Sequence, residues 1–408
     1  MHILFLSDNF PPEGNAPATR TYEHAREWVK QGHRVTVITG APNFPEGKVY
    51  AGYKNRWYQR EVMSGIDVVR VKTYITANEG FAKRILDYIS FAIMACIAGL
   101  FQKKPDVIVS TSPQFFCACG GWLLSVLRFK PWVFELRDIW PASITAVGAM
   151  EKSRAIVWLE KLEMFLYRRA DRIVAVTHSF KTELVQRGID GEKIDVVVNG
   201  VDLKTYHPVE EKNKALAEAY DLNNKFVVAY IGTHGMAHAL DKVLDAAALL
   251  QEHKGICFLF AGGGAARESV EAMVAQRGLL NVSLIPRQPK EMMPALWSLC
   301  DVSLISLRDT PLFEKVIPSK IFESMGMGLP MIITCPDGEA TGIVRSTDSG
   351  IVVPPEQPQA LAEVILDVYK DETRRSSLAN NSFKAAPLYD REAMALKMLD
   401  VFDGVKRA

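Results

Sequence analysis

The sequence predicts an α/β protein built from two doubly wound, Rossmann-like domains. Short apolar runs of four to seven residues recur along the whole chain. Amphipathic stretches with helical spacing separate most of these runs, and the rhythm starts again after residue 220. Strands that alternate with helices form parallel sheets with helices on both faces. Because ligands bind at the carboxyl ends of such strands, we expect the site in the cleft between the two domains.

The apolar runs define the expected strands in order. Those of the first half are residues 2–7, 34–39, 66–71, 107–110, 132–136, 172–176 and 194–198. Those of the second half are residues 226–232, 257–261, 282–285, 302–305, 331–334 and 350–353. Helical patterns such as 21–31, 156–170 and 242–251 lie between them. All the strands are predicted to pair in parallel through right-handed crossovers.

A turn-rich stretch at residues 199–208, NGVDLKTYHP, marks the expected join between the domains. Its Asn-Gly pair and its proline disfavour regular structure. The predicted domains are therefore residues 1–200 and residues 201–385. Residues 386–408 contain a helical pattern with no strand after it, and this helix is predicted to cross back onto the first domain.

The composition is that of an ordinary globular protein, with 48% hydrophobic and 23% charged residues. A net charge of +1 argues against a nucleic-acid partner. Residues 1–200 carry 26 Lys and Arg against 20 Asp and Glu, whereas residues 201–408 carry 22 against 27. The excess positive charge of the first half favours an anionic membrane or a phosphorylated substrate. The six cysteines have no zinc-site spacing and indicate free thiols in a reducing cytosol.

The sequence also limits the ways in which the protein could associate with a membrane. The first residues, MHILFL, read as a strand rather than as a signal peptide. No apolar run reaches the roughly 18 residues that a membrane span requires. Residues 89–101, ISFAIMACIAGLF, come nearest, with Arg84 before them and Lys103 and Lys104 after them. This segment is either a buried crossover helix or an interfacial helix, and basic positions such as Lys83, Arg128 and Lys130 are candidates for contact with lipid.

The most informative stretch is residues 311–333, where a loop leads into an amphipathic helix beginning at Ser319 and Lys320. Free N–H groups at a helix start, with a lysine beside them, suit the phosphates of a nucleotide. Glu323, one turn further on, could hold the ribose hydroxyls. The alternative is that Ser319 merely caps a surface helix on which Glu323 pairs with Lys320.

Two loops of the first domain contain candidate ligand contacts. The loop after the first strand carries Gly14, Asn15 and Arg20, and we expect it to contact a phosphate or a sugar. A middle strand ends in Glu135, Arg137, Asp138 and Trp140. Asp138 could orient a substrate hydroxyl and Trp140 could stack on a sugar, or Arg137 could form a structural pair with Asp138 or Glu135. The stretch TSPQFF after another strand could line an acceptor groove.

Loops after two strands of the second domain suit a nucleotide. Gly232, Thr233, Gly235 and Met236 could cradle phosphates, because glycines let the backbone approach closely. Arg287 and Gln288 end another strand, where the backbone could meet a base edge. Gly235 disfavours the helix that would bring His234 and His238 onto one face, so no metal site is predicted. The glycine run 262–264 is expected to form a tight turn.

End to end, the chain resembles the family 4 glycosyltransferases of the GT-B fold. The resemblance rests on NFPPEGNAPATR, on the hinge beginning at Asn199, on the Gly232-Thr233 loop and on the helix of Glu323. The motifs ELRDIWP, YIGTHGMAHALD, VIPSKIFE and TSPQFF are similar to those of bacterial L-fucosamine transferases. This resemblance implies a UDP-sugar donor, no cofactor or metal, and a saccharide acceptor linked to undecaprenyl diphosphate in O-antigen or capsule synthesis. It also implies a cytoplasmic protein, peripheral at the anionic inner face of the plasma membrane.

The resemblance also implies the roles of individual residues. The family has two glutamates with seven residues between them. Glu323 matches the second, and the first falls at Lys315, with Glu314 one position away. The catalytic candidates are Asp138, Arg137, Lys320 and Glu314. The nucleotide contacts further include Asn199 and, around Lys320, Pro318, Ser319 and Ile321. The family's usual Arg and Lys of the Gly232 loop are absent, so Lys320, Arg287 or Arg20 is expected to supply positive charge to the diphosphate.

The implied reaction retains anomeric configuration, and the leaving phosphate itself accepts the proton of the acceptor. Two other classes stay open at this level. One is an epimerase that hydrolyses UDP-sugars, which would release free sugar. The other is a non-catalytic module that binds nucleotide sugars.

Overall fold

The computed structural model of the protein describes residues 1–44, 46–76, 81–112, 114–139 and 154–407. These residues form two compact units. Unit 1 contains Met1–Val198 and Arg391–Ala408, and unit 2 contains Asn199–Asp390. The boundary at Asn199 lies in the stretch of Asn-Gly turn chemistry.

Unit 1 contains an eight-stranded sheet in the order β3-β4-β2-β1-β5-β6-β7-β8. Its strands are β1 (His2–Leu6), β2 (Arg34–Gly40), β3 (Tyr58–Met63), β4 (Ile66–Val71), β5 (Val107–Thr111), β6 (Trp132–Leu136), β7 (Arg172–Ala175) and β8 (Ile194–Val196). Its helices are α1 (Ala16–Lys30), α2 (Phe81–Leu100), α3 (Phe115–Arg128), α4 (Arg154–Arg169) and α5 (His178–Gln186). Buried side chains on both faces of the sheet form its core.

One strand of unit 1 differs from the prediction. Tyr58–Met63 pairs antiparallel with Ile66–Val71, although only parallel pairing was expected. Its residues are alternately exposed and half-buried, so this edge strand has no continuous apolar run to reveal it. Ser64 and Gly65, both at positive φ, form the two-residue turn between these strands.

Unit 2 contains a six-stranded, fully parallel sheet in the order β11-β10-β9-β12-β13-β14. Its strands are β9 (Phe226–Ile231), β10 (Ile256–Ala261), β11 (Val282–Ile285), β12 (Val302–Ser306), β13 (Met331–Thr334) and β14 (Gly350–Val353). Its helices are α6 (Lys214–Ala219), α7 (Leu240–Leu249), α8 (Arg267–Arg277), α9 (Met293–Trp297), α10 (Lys320–Gly326), α11 (Glu339–Ser346), α12 (Pro358–Lys370) and α13 (Glu372–Ala385).

The last helix, α14 (Arg391–Arg407), belongs to unit 1, where it packs on α1. Trp28 of α1 donates from Nε1 to the carbonyl of Ala395 at 2.8 Å, and its ring meets Phe402 edge-on. The tail therefore completes the core of unit 1. Together with the two sheets, which are parallel apart from the edge strand β3, this confirms the predicted fold class.

The apolar segment of α2 is buried on one side and exposed on the other, and contact of this helix with a membrane stays a prediction. Phe91 and Ala95 are buried in the core, whereas Ile93 and Ile97 are exposed to solvent. Among the helices of the described residues, none has the length and apolarity to cross a membrane.

Each sheet reverses its strand order at one point. In unit 1 the reversal lies between β1 and β5, and in unit 2 it lies between β9 and β12. The loops at the carboxyl ends of these strands diverge there and leave a crevice, which is where open α/β sheets bind ligands.

Candidate functional site

Lys320 occupies the point in unit 2 where the strand order reverses. It is the first residue of α10, and its Nζ lies 3.3 Å from the centroid of the Tyr230 ring on β9. The side chain is buried, and within the described residues it makes no ion pair with a carboxylate. Burial lowers the pKa of Lys320 to about 7, although the charge of Glu323 acts to raise it. An anion beside this ammonium group would gain a counter-ion that the fold does not otherwise use.

Gly232 lets Lys320 reach this position. Its φ is +138°, and a Cβ atom placed on it would lie 2.7 Å from Cε of Lys320. Any side chain at residue 232 would therefore displace the lysine. The glycine-rich loop after β9 and Lys320, which the sequence analysis identified separately, therefore pack directly against each other.

The glycine run after β10 supports the Gly232 loop from behind. A Cβ atom on Gly262 would collide with the carbonyl of Gly232, and one on Gly264 would lie 2.6 Å from the carbonyl of His234. The His234 N–H donates to the Gly263 carbonyl at 2.9 Å. Glycine is therefore required at residues 262 and 264, because a larger residue would collide with the loop after β9.

Two histidines lie beside the same tyrosine. The rings of His234 and His238 are centred 5.8 and 5.7 Å from the ring of Tyr230. Burial, together with Lys320, lowers the pKa of each to about 4, and Arg267 adds to the effect at His234. Both rings are therefore neutral at physiological pH. Nowhere in the described ranges do three His, Cys, Asp or Glu side chains come together as metal ligands.

Helix α10 differs from a capped surface helix, which was the simpler interpretation of its sequence. Most of its residues are buried, the Ser319 side chain makes no capping hydrogen bond, and the described contacts include no ion pair between Lys320 and Glu323. Glu323 remains partly exposed, and burial raises its pKa against the lowering effect of Lys320. A carboxylate one turn from the lysine is thus open to a ligand.

Three further predicted nucleotide contacts, Ile321, Thr233 and Met236, differ in how far they are exposed. Ile321 is fully buried, and its N–H already donates to the Pro318 carbonyl at 3.1 Å. Thr233 is exposed, and its carbonyl accepts a hydrogen bond from the Tyr230 hydroxyl at 2.7 Å. Met236 is also exposed and begins a short 3-10 helix directly after Gly235.

Arg287 and Gln288 lie on the loop that follows β11. Arg287 is exposed, and its Cβ lies 3.6 Å from where a Cβ of Gly263 would be. Gln288 donates to the Pro286 carbonyl at 3.2 Å. The arginine therefore lies beside the glycine run after β10, and its side chain is exposed to solvent.

Glu314 and Lys315 end a short 3-10 helix, Pro311–Lys315. The side chain of Glu314 is exposed, and its carbonyl lies where a Cβ of Gly338 would be. Gly338 immediately precedes α11, so this backbone contact fixes the loop against that helix. No contact connects Glu314 to Lys320 among the described side chains.

The reversal point of unit 1 contains carboxylates instead of a lysine. Gln114 donates from Nε2 to Oδ2 of Asp8, at the ends of β5 and β1. Burial, with the charge of Asp87, raises the pKa of Asp8 well above its ordinary value. Burial and the charge of Glu13 raise the pKa of Asp87 to about 7.

Three predicted ligand contacts in the first loop have different surroundings. Gly14 is exposed. Asn15 is the N-cap of α1, where its side-chain oxygen accepts from the Ala18 N–H at 2.9 Å. Arg20 is 4% exposed and donates from Nε to Glu135 at 2.8 Å. Its two remaining nitrogens donate to the carbonyls at the end of β8, residues 197 and 198, at 2.9 Å each. These contacts support structural roles for Asn15 and Arg20.

Arg137 and Asp138 follow β6 and are held by one hydroxyl group. The Arg137 and Asp138 N–H groups donate to Oγ of Ser112 at 2.8 and 3.2 Å. Both side chains are partly exposed. Burial lowers the pKa of Arg137 to about 10, and Glu135 opposes this effect. The two residues are thus positioned at the carboxyl edge of the sheet.

Trp140, predicted to stack on a sugar, lies outside the described residues. Asn199, predicted to contact the nucleotide, is the first residue of unit 2. Tyr230 and Asp8 were not predicted at all. Tyr230 looks like a core residue inside an apolar strand, and only its position two residues before Gly232 distinguishes it.

Comparison with known proteins identifies the class. Residues 17–205 match the family model described as Glycosyltransferase Family 4, and residues 212–385 match the one described as Glycosyl transferases group 1. The two ranges take in most of the chain. The protein is therefore a glycosyltransferase of the GT-B type, with one domain from each family.

Two relatives of similar sequence are bacterial glycosyltransferases. WcaI of Escherichia coli K12, named as a colanic acid biosynthesis glycosyl transferase, is 28% identical over 88% of this chain and 90% of its own. WbjE of Pseudomonas aeruginosa, named as a glycosyltransferase, is 26% identical over 65% of this chain and 66% of its own.

Solved structures share the fold. Sucrose-phosphate synthase from Thermosynechococcus elongatus has a TM-score of 0.78 at 17% identity, covering 99% of this chain and 98% of its own. Anabaena HepE, crystallised with UDP, has a TM-score of 0.73 at 17% identity, covering 99% of this chain and 100% of its own.

Proposed function

We propose that the protein is a retaining, metal-independent glycosyltransferase that transfers a sugar from a UDP-sugar to a lipid-linked saccharide. The observation that carries this proposal is the buried ammonium group of Lys320, which has no carboxylate partner among the described residues. A nucleoside diphosphate is the anion that suits a cation at the reversal point of a parallel sheet. HepE, which has the same fold, was crystallised with UDP and with UDP-glucose.

The chemistry requires a diphosphate leaving group to be stabilised. The bond between the anomeric carbon and the phosphate oxygen breaks while the acceptor hydroxyl bonds to the same face of the sugar. The hydroxyl proton passes to the departing phosphate oxygen. Lys320 and the Gly232–Gly235 backbone neutralise the charge that develops on the phosphate. Because Lys320 is already desolvated, this stabilisation requires little reorganisation.

The other candidates complete the proposal. Glu323, one turn along α10, holds the ribose hydroxyls, while Ser319 and the backbone around Ile321 contact the nucleotide. Arg287 supplies a second positive charge near the glycine loops. Asp138 positions the acceptor or the sugar, and Arg137 holds the adjacent backbone. The role of Glu314 is contact with the donor sugar, at the position nearest to the missing glutamate of the family.

The finer assignment rests on the resemblance of the sequence motifs. We propose N-acetyl-L-fucosamine or a related amino sugar as the donor sugar. The proposed acceptor is a saccharide on undecaprenyl diphosphate in O-antigen or capsule synthesis. The naming of WcaI for colanic acid biosynthesis supports a polysaccharide pathway. This acceptor would bring the protein to the anionic inner face of the plasma membrane.

The first test is calorimetric binding of UDP, GDP, dTDP and CDP, with magnesium or with a chelator. We expect a preference for UDP that the chelator leaves unchanged. A preference for GDP would overturn the donor assignment, and loss of binding with chelator would overturn the metal-independent mechanism. Failure to bind any of the four would contradict the assignment of the site.

The second test is transfer from UDP-amino sugars to a lipid-linked acceptor. We expect Asp138→Ala to lower turnover while UDP affinity changes little. Release of free sugar without transfer would instead indicate a hydrolysing epimerase. Binding without either reaction would indicate a non-catalytic module.

A further inference from the structure

Helices α2 and α3 of unit 1 expose apolar side chains on their outer sides. On α2 these are Leu86, Ile93, Ile97 and Leu100, whose spacing places them on one face of the helix. On α3 they are Leu123, Val126 and Leu127, with the same kind of spacing. The two helices pack closely, since a Cβ on Gly120 would lie 2.8 Å from the Ala92 carbonyl. The exposed stripes therefore lie on neighbouring helices.

Both helices end in an exposed phenylalanine. Phe101 follows α2 and is 80% exposed, and Phe129 follows α3 and is 91% exposed. Phe129 has φ 52° and ψ 53°, the left-handed conformation that usually selects glycine at a helix end. The side chain of Phe129 has little to pack against in the fold. A large aromatic group in this conformation indicates a contact outside the molecule.

Arg128 connects the two helix ends. Its guanidinium donates to the carbonyls of Leu100 and Gln102, at 2.6 and 3.0 Å. Gln102 in turn donates to the hydroxyl of Tyr58 at 3.4 Å, on edge strand β3. Trp57 is also largely exposed, next to Tyr58. Exposed Trp and Tyr beside Phe are typical of surfaces that sit at a lipid–water interface.

The charges around these side chains are mostly positive. Between residues 81 and 132 the chain has six basic residues and two acidic ones. Lys103 and Lys104 lie two and three residues after Phe101, and Lys130 follows Phe129 directly. The Lys72 ammonium lies 4.7 Å from the centroid of the Trp57 ring. A protein partner with an apolar surface would not require this bias, whereas anionic headgroups would.

We infer that Phe101 and Phe129, with Lys103, Lys104 and Lys130, form a tip that inserts into the interfacial region of an anionic bilayer. The phenylalanines enter the boundary between headgroups and acyl chains, the stripes on α2 and α3 lie against it, and the lysines contact the headgroups. The inference rests on the proposed function for its setting, because a lipid-linked acceptor requires the protein at a membrane. Its measurement does not depend on sugar transfer.

The experiment is flotation of the full chain with two kinds of vesicle. One is pure phosphatidylcholine, and the other contains about one third phosphatidylglycerol, because anionic lipid attracts basic residues. The first variant is Phe101→Ser with Phe129→Gly, in which glycine also suits the left-handed backbone. Leu280→Ser in unit 2 is the matched control, since Leu280 is 92% exposed. A third variant is Lys103→Ala with Lys104→Ala.

We expect the wild type to float with the anionic vesicles and not with the neutral ones. Removing both phenylalanines should lower the partition coefficient about a hundredfold, from roughly tenfold for each buried aromatic side chain. Removing both lysines should lower it by about fivefold each and should weaken its dependence on salt. Leu280→Ser should behave like the wild type.

The inference fails if the wild type does not float with anionic vesicles at low salt, or if it floats equally with neutral ones. It also fails if the Phe101→Ser, Phe129→Gly variant floats like the wild type. A dimer that this variant converts to monomer, without any vesicle binding, would assign the tip to a second copy of the chain. UDP binding by every variant confirms an intact fold, and lack of UDP binding with normal flotation would overturn only the proposed function.

Discussion

In unit 2 the buried cation at the reversal point, Lys320, has an aromatic ring for a neighbour and no carboxylate partner among the described residues. In unit 1 the buried cation Arg20 is paired with Glu135 and with two backbone carbonyls. Both cations lie near the carboxyl edge of a parallel sheet, yet only Lys320 has charge left for a ligand. Topology selects the location of a site, while the partners of each charged group decide whether a ligand can use it.

The two reversal points also differ in the sign of their buried groups. Lys320 has a pKa lowered by burial, and in unit 1 Asp8 and Asp87 have pKa values raised by burial. Burial disfavours the charged form in each case. An anion would favour the charged form of Lys320, whereas the raised pKa values of Asp8 and Asp87 favour their neutral form. The difference supports our proposal of a nucleotide site in unit 2.

The largest effect is expected for Arg20→Met, which tests whether the cation of unit 1 is structural. Glu135 is 1% exposed and would lose its ion pair, so we expect a loss of about 3–5 kcal/mol in the free energy of unfolding. UDP affinity should stay within a factor of two. Urea unfolding and calorimetry measure the two quantities, and Glu135→Gln added to Arg20→Met should recover part of the stability. A drop in UDP affinity at unchanged stability would place Arg20 on the ligand.

The next effect is that of Lys320→Met, which tests whether the cation of unit 2 is free for a ligand. We expect turnover to fall about 100- to 1000-fold, as on removal of one donor to a developing anion. UDP affinity should fall roughly tenfold or more. Lys254→Met, at an exposed lysine of the same unit, is the control and should match the wild type. Equal turnover in both variants would remove Lys320 from the reaction.

Glu323→Ala should have a smaller effect, because it removes a hydroxyl contact rather than the phosphate contact. We expect UDP affinity to fall roughly tenfold, with the affinity for a 2′-deoxy nucleotide less affected. Glu323→Gln, which keeps hydrogen-bonding capacity, should lie between the wild type and Glu323→Ala. Calorimetry with both nucleotides makes the comparison. Unchanged UDP affinity in Glu323→Ala would contradict the ribose assignment.

The smallest effect, which per pH unit is at most as large as that of Glu323→Ala, is a pH dependence of UDP binding that belongs to unit 2. The pKa of Lys320 is lowered to about 7, and a bound anion raises it again, so binding takes up a proton above pH 7. UDP affinity should fall by up to about tenfold per pH unit above that point. His234 and His238, with pKa values near 4, stay neutral there. Calorimetry from pH 7 to 9 should show this slope in the wild type and none in Lys320→Met; a flat wild-type profile would refute the assignment.

Much of the fold follows from local sequence patterns. The apolar runs predicted every strand except Tyr58–Met63, with ends within two residues, because strands buried on both faces must be continuously apolar. The strand Tyr58–Met63 was not predicted, because an edge strand is exposed on alternate residues and has no continuous apolar run. The sequence likewise could not show which side of α2 is exposed. Apolar residues surround the whole helix, and only packing decides which side is covered.

The candidate site was only partly predictable. Lys320, Glu323 and Gly232 were found because helix starts and glycine loops have sequence signatures. Arg20 was expected to serve a ligand because its partner Glu135 is 115 residues away and cannot be seen in the sequence. Tyr230 was not predicted for the same reason, because its partner Lys320 lies 90 residues later in the chain and no local pattern indicates their contact.

The sequence by itself determined the two domains, the positions of most strands and helices, and the presence of a lysine and a glutamate one turn apart on a short helix. These properties depend on periodicity, glycine and proline, which act over a few residues. The tertiary structure alone decided that Lys320 lies over Tyr230, that Arg20 is already paired, and that the phenylalanines after α2 and α3 face solvent. Burial and pairing of charges depend on segments that are distant in sequence, because only the folded chain brings them together.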